Sequence, residues 1–228
     1  MRNELSSGVK VLDKVLRLLD VVEYRQPVSL QELVDLIGLP RTTAYRLLTA
    51  LETHGFIRRD DGGRYITGSR FATASLLQVT PPILSALTAE TGESTQLFVR
   101  RGNQRLCLVS IESPAELRTI VPVGTLLTLE KGSGGRVLLG DAAMQANGWI
   151  ESVGERSPGV ASVSAPVFDD GVLIAALCLS GPIDRLAPSP GTKFGEAVVR
   201  ASAEIERAVA SADVHGRASR SITSATDQ

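Results

Sequence analysis

The sequence predicts an α+β fold in two domains, with helices first and mixed strands with flanking helices after them. Apolar residues recur at helical spacing up to Arg70, whereas β-branched runs, glycines and short turns dominate after Pro81-Pro82. A chain of 228 residues is long enough for two small domains, each with its own core. Because proline disrupts a helix interior, Pro81-Pro82 is expected to separate two elements, and the domain boundary is placed between Gly68 and Pro82.

The charge distribution follows the same division. The net charge of −1 and the pI near 6.2 argue, taken alone, against nucleic-acid binding. Up to Arg70, however, eleven Lys and Arg residues face nine acids, which leaves +2 for the first part and −3 for the rest. Six of the eleven basic residues lie between Arg41 and Arg70, where only three acids occur. A basic cluster of this kind is compatible with a DNA-binding first domain.

Cysteine usage and hydropathy indicate a cytoplasmic protein without a cofactor. Cys107 and Cys178 each lie in an apolar segment and are expected to be small buried hydrophobic residues in a reducing compartment. No CxxC or His-rich spacing suggests a zinc site, so no metal and no cofactor is expected. No stretch reaches the ~20 apolar residues that a membrane span needs, and the N-terminus lacks the apolar core of a signal peptide.

The first two helices follow from periodicity and capping signals. Apolar residues fall on one broad face over residues 9–24, which predicts an amphipathic helix. Ser29 and Glu32 have the spacing of a capping box at the start of a second helix, which is expected to stop at Gly38.

The third predicted helix, residues 41–54, has one apolar and one polar face. Ala44, Leu47, Leu48 and Leu51 share the apolar face, and no acid occurs before Glu52. Two helices joined by a short turn, the second with a polar and basic leading end, are typical of a helix-turn-helix, whose second helix lies in the major groove. An ordinary helical hairpin is the alternative. The polar face carries Arg41, Thr42, Thr43, Tyr45, Arg46 and Thr49.

A β-hairpin with a glycine-containing turn is predicted next, over residues 56–66. Attached to a helix-turn-helix it forms a wing, and Arg58, Arg59 and Arg64 are placed to contact backbone phosphates. Arg46 is expected to reach guanine acceptors, while hydroxyls at helix starts can hold phosphate. The predicted DNA-binding residues are Ser29, Arg41, Thr42, Thr43, Tyr45, Arg46, Thr49, Arg58, Arg59 and Arg64.

Several motifs together resemble one family. Residues 7–14, 30–33, 38–48 and 55–57 closely resemble the N-terminal domain of IclR-type bacterial transcriptional regulators, and the resemblance covers about residues 7–210. It implies a winged helix-turn-helix DNA-binding domain at residues 7–68, a linker helix at 69–82 and a GAF-like mixed α/β effector-binding domain at 83–211. The remaining residues, 212–228, are rich in Ser, Ala and Thr and are expected to be disordered.

The second domain is predicted to alternate strands with short turns. Helices are expected at residues 83–91, from near Arg136, and at 192–210. Gly102-Asn103 is a favoured hairpin turn. Strands are predicted at 94–101, 104–112, 117–122, 125–129, 148–154, 159–168 and 172–180.

The glycine-rich loop Gly132–Arg136 lacks the spacing of a nucleotide-binding P-loop. The resemblance makes it one wall of an effector pocket, and a helix start with free amides suits a carboxylate. A plain core with satisfied hydroxyls is the equal alternative. The chain departs from the family pattern at Ser152, where some relatives have an acid, and at Ser162, where they have a cysteine. The resemblance implies effector-binding roles for Ser133, Gly134, Ser152, Ser162, Cys178 and Ser180.

The resulting hypothesis is a sequence-specific, ligand-responsive DNA-binding regulator rather than an enzyme. Its expected partners are operator DNA, a small organic or amino-acid-like effector, and further copies of itself as a homodimer or dimer of dimers, with no membrane. Short sequence segments of the second domain resemble those of regulators of leucine and related amino-acid biosynthesis. Between Leu139 and Trp149, however, nine residues stand where relatives carry a longer helical insertion. The alternatives are a repressor whose second domain only dimerises, and a Cys/His enzyme, which the positions of His54 and His215 disfavour.

Overall fold

The structure is a computed structural model that describes residues 7–142 and 144–223. The chain divides after Ala72 into two compact units. The model confirms the predicted α+β fold class, with helices and a short hairpin in the first unit and a larger sheet with helices in the second.

The first unit is a three-helix fold with a two-stranded wing. Its elements are α1 (Lys10–Arg25), α2 (Leu30–Ile37), α3 (Arg41–Thr53), β1 (Ile57–Arg59) and β2 (Tyr65–Thr67). The two strands pair antiparallel with Arg58 opposite Ile66. Every helix and both strands contribute to one core. Its buried members are Leu18, Val22, Val28, Leu33, Leu48, Leu51, Ile57 and Tyr65.

The starts of α2 and α3 are built differently. At α2 the predicted capping box is present: the Glu32 amide donates to the Ser29 hydroxyl, and the Ser29 amide donates to the Glu32 carboxylate at 2.8 Å. The helix ends at Gly38 in the left-handed conformation, with φ of 71°. At α3 the N-cap is Pro40, and no side chain caps the helix. The first amides of α3 therefore have no side-chain partner at the cap position.

The helix that follows the wing corrects one prediction. Pro81-Pro82 was expected to separate two elements, but α4 runs without interruption over Ser69–Thr91 with both prolines inside it. Each proline removes one amide donor from the helix. The proline φ near −65° is nevertheless helical, so the remaining hydrogen bonds and the packing of Leu76, Leu84 and Leu87 keep the helix continuous. The predicted linker helix at 69–82 is thus the first part of a longer helix.

The second unit is organised around a six-stranded antiparallel sheet. Its elements after α4 are β3 (Ser94–Arg101), β4 (Gln104–Ile111), β5 (Leu126–Thr128), α5 (Ser133–Leu138), α6 (Met144–Asn147), β6 (Ile150–Val153), β7 (Val160–Asp169), β8 (Val172–Pro182), α7 (Ile183–Leu186) and α8 (Pro190–Thr223).

The strand order in the sheet is β5-β4-β3-β8-β7-β6. The hairpin β3–β4 lies next to β8, and β7 lies between β8 and the edge strand β6. The helix α8 packs mainly against β7.

Three predicted elements of the second unit differ in the structure. Residues 117–122 form a loop instead of a strand, and Leu117 and Ile120 are exposed there. The helix expected near Arg136 begins three residues earlier, at Ser133. The helix α8 continues to Thr223, through part of the segment 212–228 that was expected to be disordered. That part has no proline and one glycine, so nothing in it forces the helix to end; residues 224–228 lie outside the described residues.

The short connection between α5 and β6 is anchored at both ends. Arg136 in α5 forms a 2.8 Å ion pair with Asp141. Trp149, just before β6, covers the first turns of α8 so closely that a Cβ atom at Gly191 or Gly195 would collide with its ring. Within its described residues, the connection contains the one-turn helix α6.

We expect Gly68→Ala to destabilise the first unit selectively. A Cβ atom at Gly68 would overlap the backbone of Gly55 and Ile57, so the wing must shift, at a cost of about 1–3 kcal/mol in the free energy of unfolding. The control is Gly62→Ala, whose Cβ would lie 3.3 Å from a side-chain oxygen of Asp60 and would overlap no backbone atom. Urea unfolding followed by circular dichroism measures both variants, and the fluorescence of Trp149, the one tryptophan, reports on the second unit. Equal effects of the two substitutions would contradict this packing.

Candidate nucleic-acid interface and ligand cavity

The outer face of α3 presents a polar stripe. Thr42, Tyr45, Arg46 and Thr49 are all exposed at positions i, i+3, i+4 and i+7, while Ala44, Leu48 and Leu51 are buried on the opposite side. Thr43 is half-buried. Among the described residues, the Arg46 guanidinium has no hydrogen-bond or ion-pair partner, so it is available to a ligand outside the chain. We call Thr42, Tyr45, Arg46 and Thr49 the α3 stripe.

Ser29 and Arg41, which were predicted to bind DNA at the starts of α2 and α3, differ in their hydrogen-bond partners. The Ser29 hydroxyl donates to Glu32 at 2.7 Å, so it is engaged in the cap of α2. Hydrogen bonds from Ser29 lower the pKa of Glu32, which keeps this carboxylate ionised at neutral pH. Arg41 is exposed at the uncapped start of α3, where its Nη1 donates to Gln31 at 2.7 Å. Free amides beside a guanidinium form an anion-binding helix start.

The three wing arginines have different surroundings. Arg59 donates to the Tyr65 hydroxyl at 2.9 Å, stacks over the Tyr65 ring and lies 3.4 Å from Glu52. Arg64 forms an ion pair with Asp60 at 2.9 Å across the turn. Arg58 is half-buried in β1. Two of the three arginines that were predicted to contact phosphate, Arg59 and Arg64, thus already form ion pairs with acids of their own domain. The sequence pattern did not reveal these ion pairs.

In the second unit, the predicted pocket residues lie together on one face of the sheet. Residues directly opposite in antiparallel strands share a face, and Ser152, Ser162 and Ser180 form one such row across β6, β7 and β8. The next row contains Ser164, Cys178 and Gln96. All six predicted residues line a single cavity. These are Ser133, Gly134, Ser152, Ser162, Cys178 and Ser180.

The first turn of α5 closes this cavity. The Ser133 hydroxyl lies 2.7 Å from that of Ser162 and 2.8 Å from that of Ser164, which ties the helix to β7. A Cβ at Gly134 would lie 3.4 Å from the Phe98 ring. A Cβ at Gly135 would collide with the Leu129 carbonyl and the Arg105 guanidinium. Glycine at position 135 is therefore required for α5 to approach the sheet this closely.

Sequence reasoning missed three polar residues of the cavity wall, Gln96, Arg105 and Arg156. Arg105 is 3% exposed, and its Nη1 donates to the carbonyls of Thr128 and Lys131, both at 2.7 Å. Gln96 is 1% exposed and accepts from the Ser180 hydroxyl at 3.0 Å. Both residues line the cavity together with Arg156. Strand alternation was the available signal, because Arg105 and the buried Cys107 are two apart and share a face.

The two cysteines are buried and free, as expected for small core residues. Burial raises the pKa of the Cys107 thiol to about 12 and also raises that of Cys178. A protonated thiol is a weak nucleophile. Within residues 7–142 and 144–223, no three His, Cys, Asp or Glu side chains are grouped to hold a metal ion. Over the same ranges, no helix combines the length and apolarity of a membrane span.

Two family models match the sequence. The IclR helix-turn-helix domain matches residues 11–61, and the C-terminal domain of bacterial transcriptional regulators of the IclR type matches residues 70–145. Together they cover more than half of the chain. The chain belongs to the IclR family. It is thus a DNA-binding transcriptional regulator of the IclR type and not an enzyme.

Relatives match over most of their length. HTH-type transcriptional regulator BhcR from Paracoccus denitrificans is 25% identical over 245 positions, which cover 89% of this chain and 88% of the relative. KipR from Bacillus subtilis is 25% identical over 243 positions, covering 88% and 97%. Transcriptional repressor IclR from Escherichia coli is 25% identical, covering 86% and 89%.

Solved structures of IclR-type regulators share the fold. One from Rhodococcus sp. is 26% identical, with a TM-score of 0.59 over 91% of this chain and 96% of that one. An IclR homologue from Microbacterium hydrocarbonoxydans, solved with 4-hydroxybenzoate, has a TM-score of 0.53 at 20% identity, over 88% and 99%. The alignments to BhcR and KipR contain more positions than this 228-residue chain, so these relatives have segments without a counterpart here. The C-terminal family match ends at residue 145, inside the short connection between α5 and β6.

We expect both thiols of this IclR-family protein to resist labelling in the native state. Burial keeps them protonated, so reaction with a thiol-specific disulfide reagent at pH 8 should be at least roughly tenfold slower than in the urea-unfolded chain. Because the unfolded thiols ionise near their ordinary pKa and the folded ones do not, stability should fall as pH rises above about 9. Rapid native labelling of either cysteine would contradict the described burial.

Proposed function

We propose that the protein binds a specific operator through the α3 stripe, as a homodimer or dimer of dimers, and that its second unit binds a small effector. The observation that carries the DNA-binding part is the α3 stripe itself, with the unpaired Arg46 beside the uncapped helix start. A helix with an exposed polar face of this kind fits the major groove. Arg46 is then the residue that reads guanine, and the threonine methyl groups contact thymine.

Phosphate contacts position the domain on the duplex. The open start of α3 with Arg41 and Thr42 supplies amide, guanidinium and hydroxyl donors for one phosphate. Arg58, Arg59 and Arg64 place positive charge on the wing, although Asp60 and Glu52 offset part of it. Ser29 contributes through the rigid cap of α2 rather than through a free hydroxyl.

Self-association is supported by an apolar surface on α1. Leu12 and Leu16 lie at i and i+4 on α1 and are 44% and 46% exposed, opposite the buried Leu18 and Val22, and the N-cap residue Val9 is 52% exposed. An exposed apolar stripe on an otherwise polar helix is typical of a contact with a second copy. Two copies related by a twofold axis would present their α3 helices to major grooves one turn, ~34 Å, apart.

Effector binding is supported by the cavity under α5, because all six residues that the family resemblance implied line it. One structural relative was solved with 4-hydroxybenzoate, so a ligand in the family can be a small organic acid. A repressor whose second unit only dimerises remains the alternative. Thermal melting with a panel of amino and keto acids separates the two, since a purely dimerising unit gives no ligand-dependent shift.

Named relatives and the family resemblance both bear on which genes the protein regulates. One relative is named acetate operon repressor and another glycerol operon regulatory protein, and the second domain resembles regulators of leucine biosynthesis. We propose repression of amino-acid biosynthesis genes by a cytoplasmic protein, tested by whether leucine-pathway promoters contain the selected operator.

We expect Arg46→Ala to weaken specific operator binding by about 1–3 kcal/mol and to relax base preference, because one bidentate contact to guanine is lost. The operator is obtained by selection from random duplexes with the full chain, and affinities are measured by fluorescence anisotropy. Arg118→Ala, which replaces an exposed arginine of the second unit, serves as the control. Unchanged operator affinity of Arg46→Ala would contradict the assignment of the reading face.

We expect Arg58→Ala to weaken binding to all duplexes alike and to flatten the salt dependence of the affinity, because a contact to a backbone phosphate is lost.

We expect the double substitution Leu12→Gln and Leu16→Gln to weaken self-association by roughly tenfold or more, because apolar area then no longer leaves water on assembly. Sedimentation equilibrium over a range of concentrations measures the change. Leu36→Gln is the matched control, since Leu36 is 51% exposed on α2. A wild-type chain that is monomeric at all concentrations, or a double variant that associates normally, would contradict this interface.

A further inference from the structure

A second cavity of the second unit lies beside Trp149 and shares no lining residue with the cavity under α5. Its volume is about 380 Å³, within the range of about 300–1,000 Å³ that is typical of small-molecule sites. We call it the Trp149 groove. Glu151 of the groove and Ser152 of the other cavity are successive in β6, so their side chains point to opposite faces of the sheet. The groove is lined by residues that include Arg136, Trp149, Ile150, Glu151, Ser189 and Thr192.

The indole ring of Trp149 packs against the protein on one side. A Cβ atom at Gly195 would lie 2.6 Å from both Cδ2 and Cε2 of the ring, and one at Gly191 would overlap Nε1 and Cδ1. The ring therefore turns one face to the backbone of the first turns of α8. It is nevertheless only half-buried, and it lines the groove. The part that α8 leaves uncovered is an aromatic surface that a ligand can contact.

The Glu151 carboxylate lies beside this ring. Its Oε2 accepts from the Ser189 hydroxyl at 2.5 Å and from the Gly191 amide at 2.7 Å. A Cβ atom at Gly191 would overlap both Oε2 and Trp149 Nε1, so the two side chains are neighbours. Both donors to Glu151 are neutral, and in the described part of the chain the carboxylate has no ion-pair partner. The start of α8 offers it only a partial positive charge.

The cationic side chains near the groove are engaged elsewhere. Arg136 lies 2.8 Å from Asp141 and 3.6 Å from Glu155, so two carboxylates share one guanidinium. The Lys193 ammonium donates to a backbone carbonyl at 2.5 Å. With Glu151 included, three carboxylates stand against the guanidinium of Arg136, and negative charge is in excess around the groove. An anionic ligand would be repelled, whereas a cationic one would be attracted.

The uncovered ring and the unpaired carboxylate together favour one class of cation. A cation placed over the face of tryptophan is attracted by the ring, and recognition of quaternary ammonium groups is the usual functional use of this interaction. A primary ammonium is strongly hydrated and needs acceptors for three N–H groups. A quaternary ammonium needs none and loses little hydration when it meets an aromatic surface. Its charge is then balanced by a carboxylate next to the ring.

We propose that the Trp149 groove binds a small quaternary ammonium compound, with its methylated nitrogen against the uncovered part of the Trp149 ring and its charge beside Glu151. This site is separate from the proposed effector cavity and does not depend on it. The groove borders the nine-residue connection between Leu139 and Trp149, where a longer helical segment is expected from the family resemblance. The site is therefore expected to be a property of this chain rather than of the family.

The first test uses the fluorescence of Trp149, the one tryptophan of the chain. The full chain is titrated with choline chloride, and sodium chloride keeps the ionic strength constant. We expect a saturable change in intensity, and an affinity at least roughly tenfold lower for 3,3-dimethylbutan-1-ol, in which an uncharged carbon replaces the nitrogen. No saturable change with choline, or equal affinities for the two compounds, overturns the proposal. Tighter binding of the primary amine ethanolamine than of choline overturns the assigned class.

The second test removes the charge of Glu151. Glu151→Gln keeps a side-chain oxygen that can accept from Ser189 and Gly191, so the start of α8 stays capped, and the affinity for choline should fall by roughly fivefold or more. Glu90→Gln, which removes an exposed acid of the same unit, is the matched control and should bind choline like the wild type. Circular dichroism verifies that both variants are folded. An unchanged choline affinity of Glu151→Gln overturns the proposal.

A variant without the ring completes the test. Trp149→Leu should lose choline binding measured by isothermal titration calorimetry, but the ring also packs on α8 and its loss could unfold the unit, so Glu151→Gln is the deciding variant. Operator binding and melting with amino and keto acids are measured separately. A negative result with choline therefore leaves the proposed function unchanged, and a failure of the proposed function leaves the Trp149 groove to be judged on choline alone.

Discussion

The buried guanidinium of Arg105 organises the wall of the cavity under α5 in the second unit. From β4 it donates to the carbonyls of Thr128 and Lys131, which fixes the chain between β5 and α5. The same guanidinium lies where a side chain at position 135 would have to be, so glycine there lets α5 pack against the sheet. Hydrogen bonds between the Ser133 hydroxyl and those of Ser162 and Ser164 then complete the wall. One charged side chain thus shapes the cavity and also makes it electropositive.

The first unit depends on a different constraint, the apolar core shared by its three helices and wing. Burial of Ala44, Leu48 and Leu51 fixes the rotation of α3 and turns its polar side outward. The start of α2 is capped by Ser29 and Glu32, whereas the start of α3 is not capped by any side chain. The net charge of −1 is the sum of +2 up to Arg70 and −3 in the rest of the chain, so the total says little about the partner of either unit.

Much of this organisation could be predicted from the sequence. Helical periodicity, the capping box and the glycine turn predicted α1 to α3 and the wing. The family resemblance, and not a local pattern, implied the six residues that line the cavity under α5. The continuity of α4 could not be predicted, because tertiary packing outweighs the two lost amide donors at Pro81 and Pro82. Alternation with the buried Cys107 places Arg105 on the inward face of β4, but its hydrogen bonds to the Thr128 and Lys131 carbonyls depend on the folded chain between β5 and α5 and could not be predicted. The ion pairs of the wing arginines likewise need the folded turn.

The two proposed activities belong to separate units, and regulation requires that they be coupled. A ligand changes operator affinity only if it binds differently to the DNA-bound and free forms, and the effect is then reciprocal. The most direct test measures operator affinity of the full chain with and without a saturating concentration of the amino or keto acid that raises Tm most, at fixed ionic strength. We expect a change of about fivefold or more in the operator affinity of the wild type. Identical operator affinities of the wild type in both conditions would contradict a regulator controlled through this cavity.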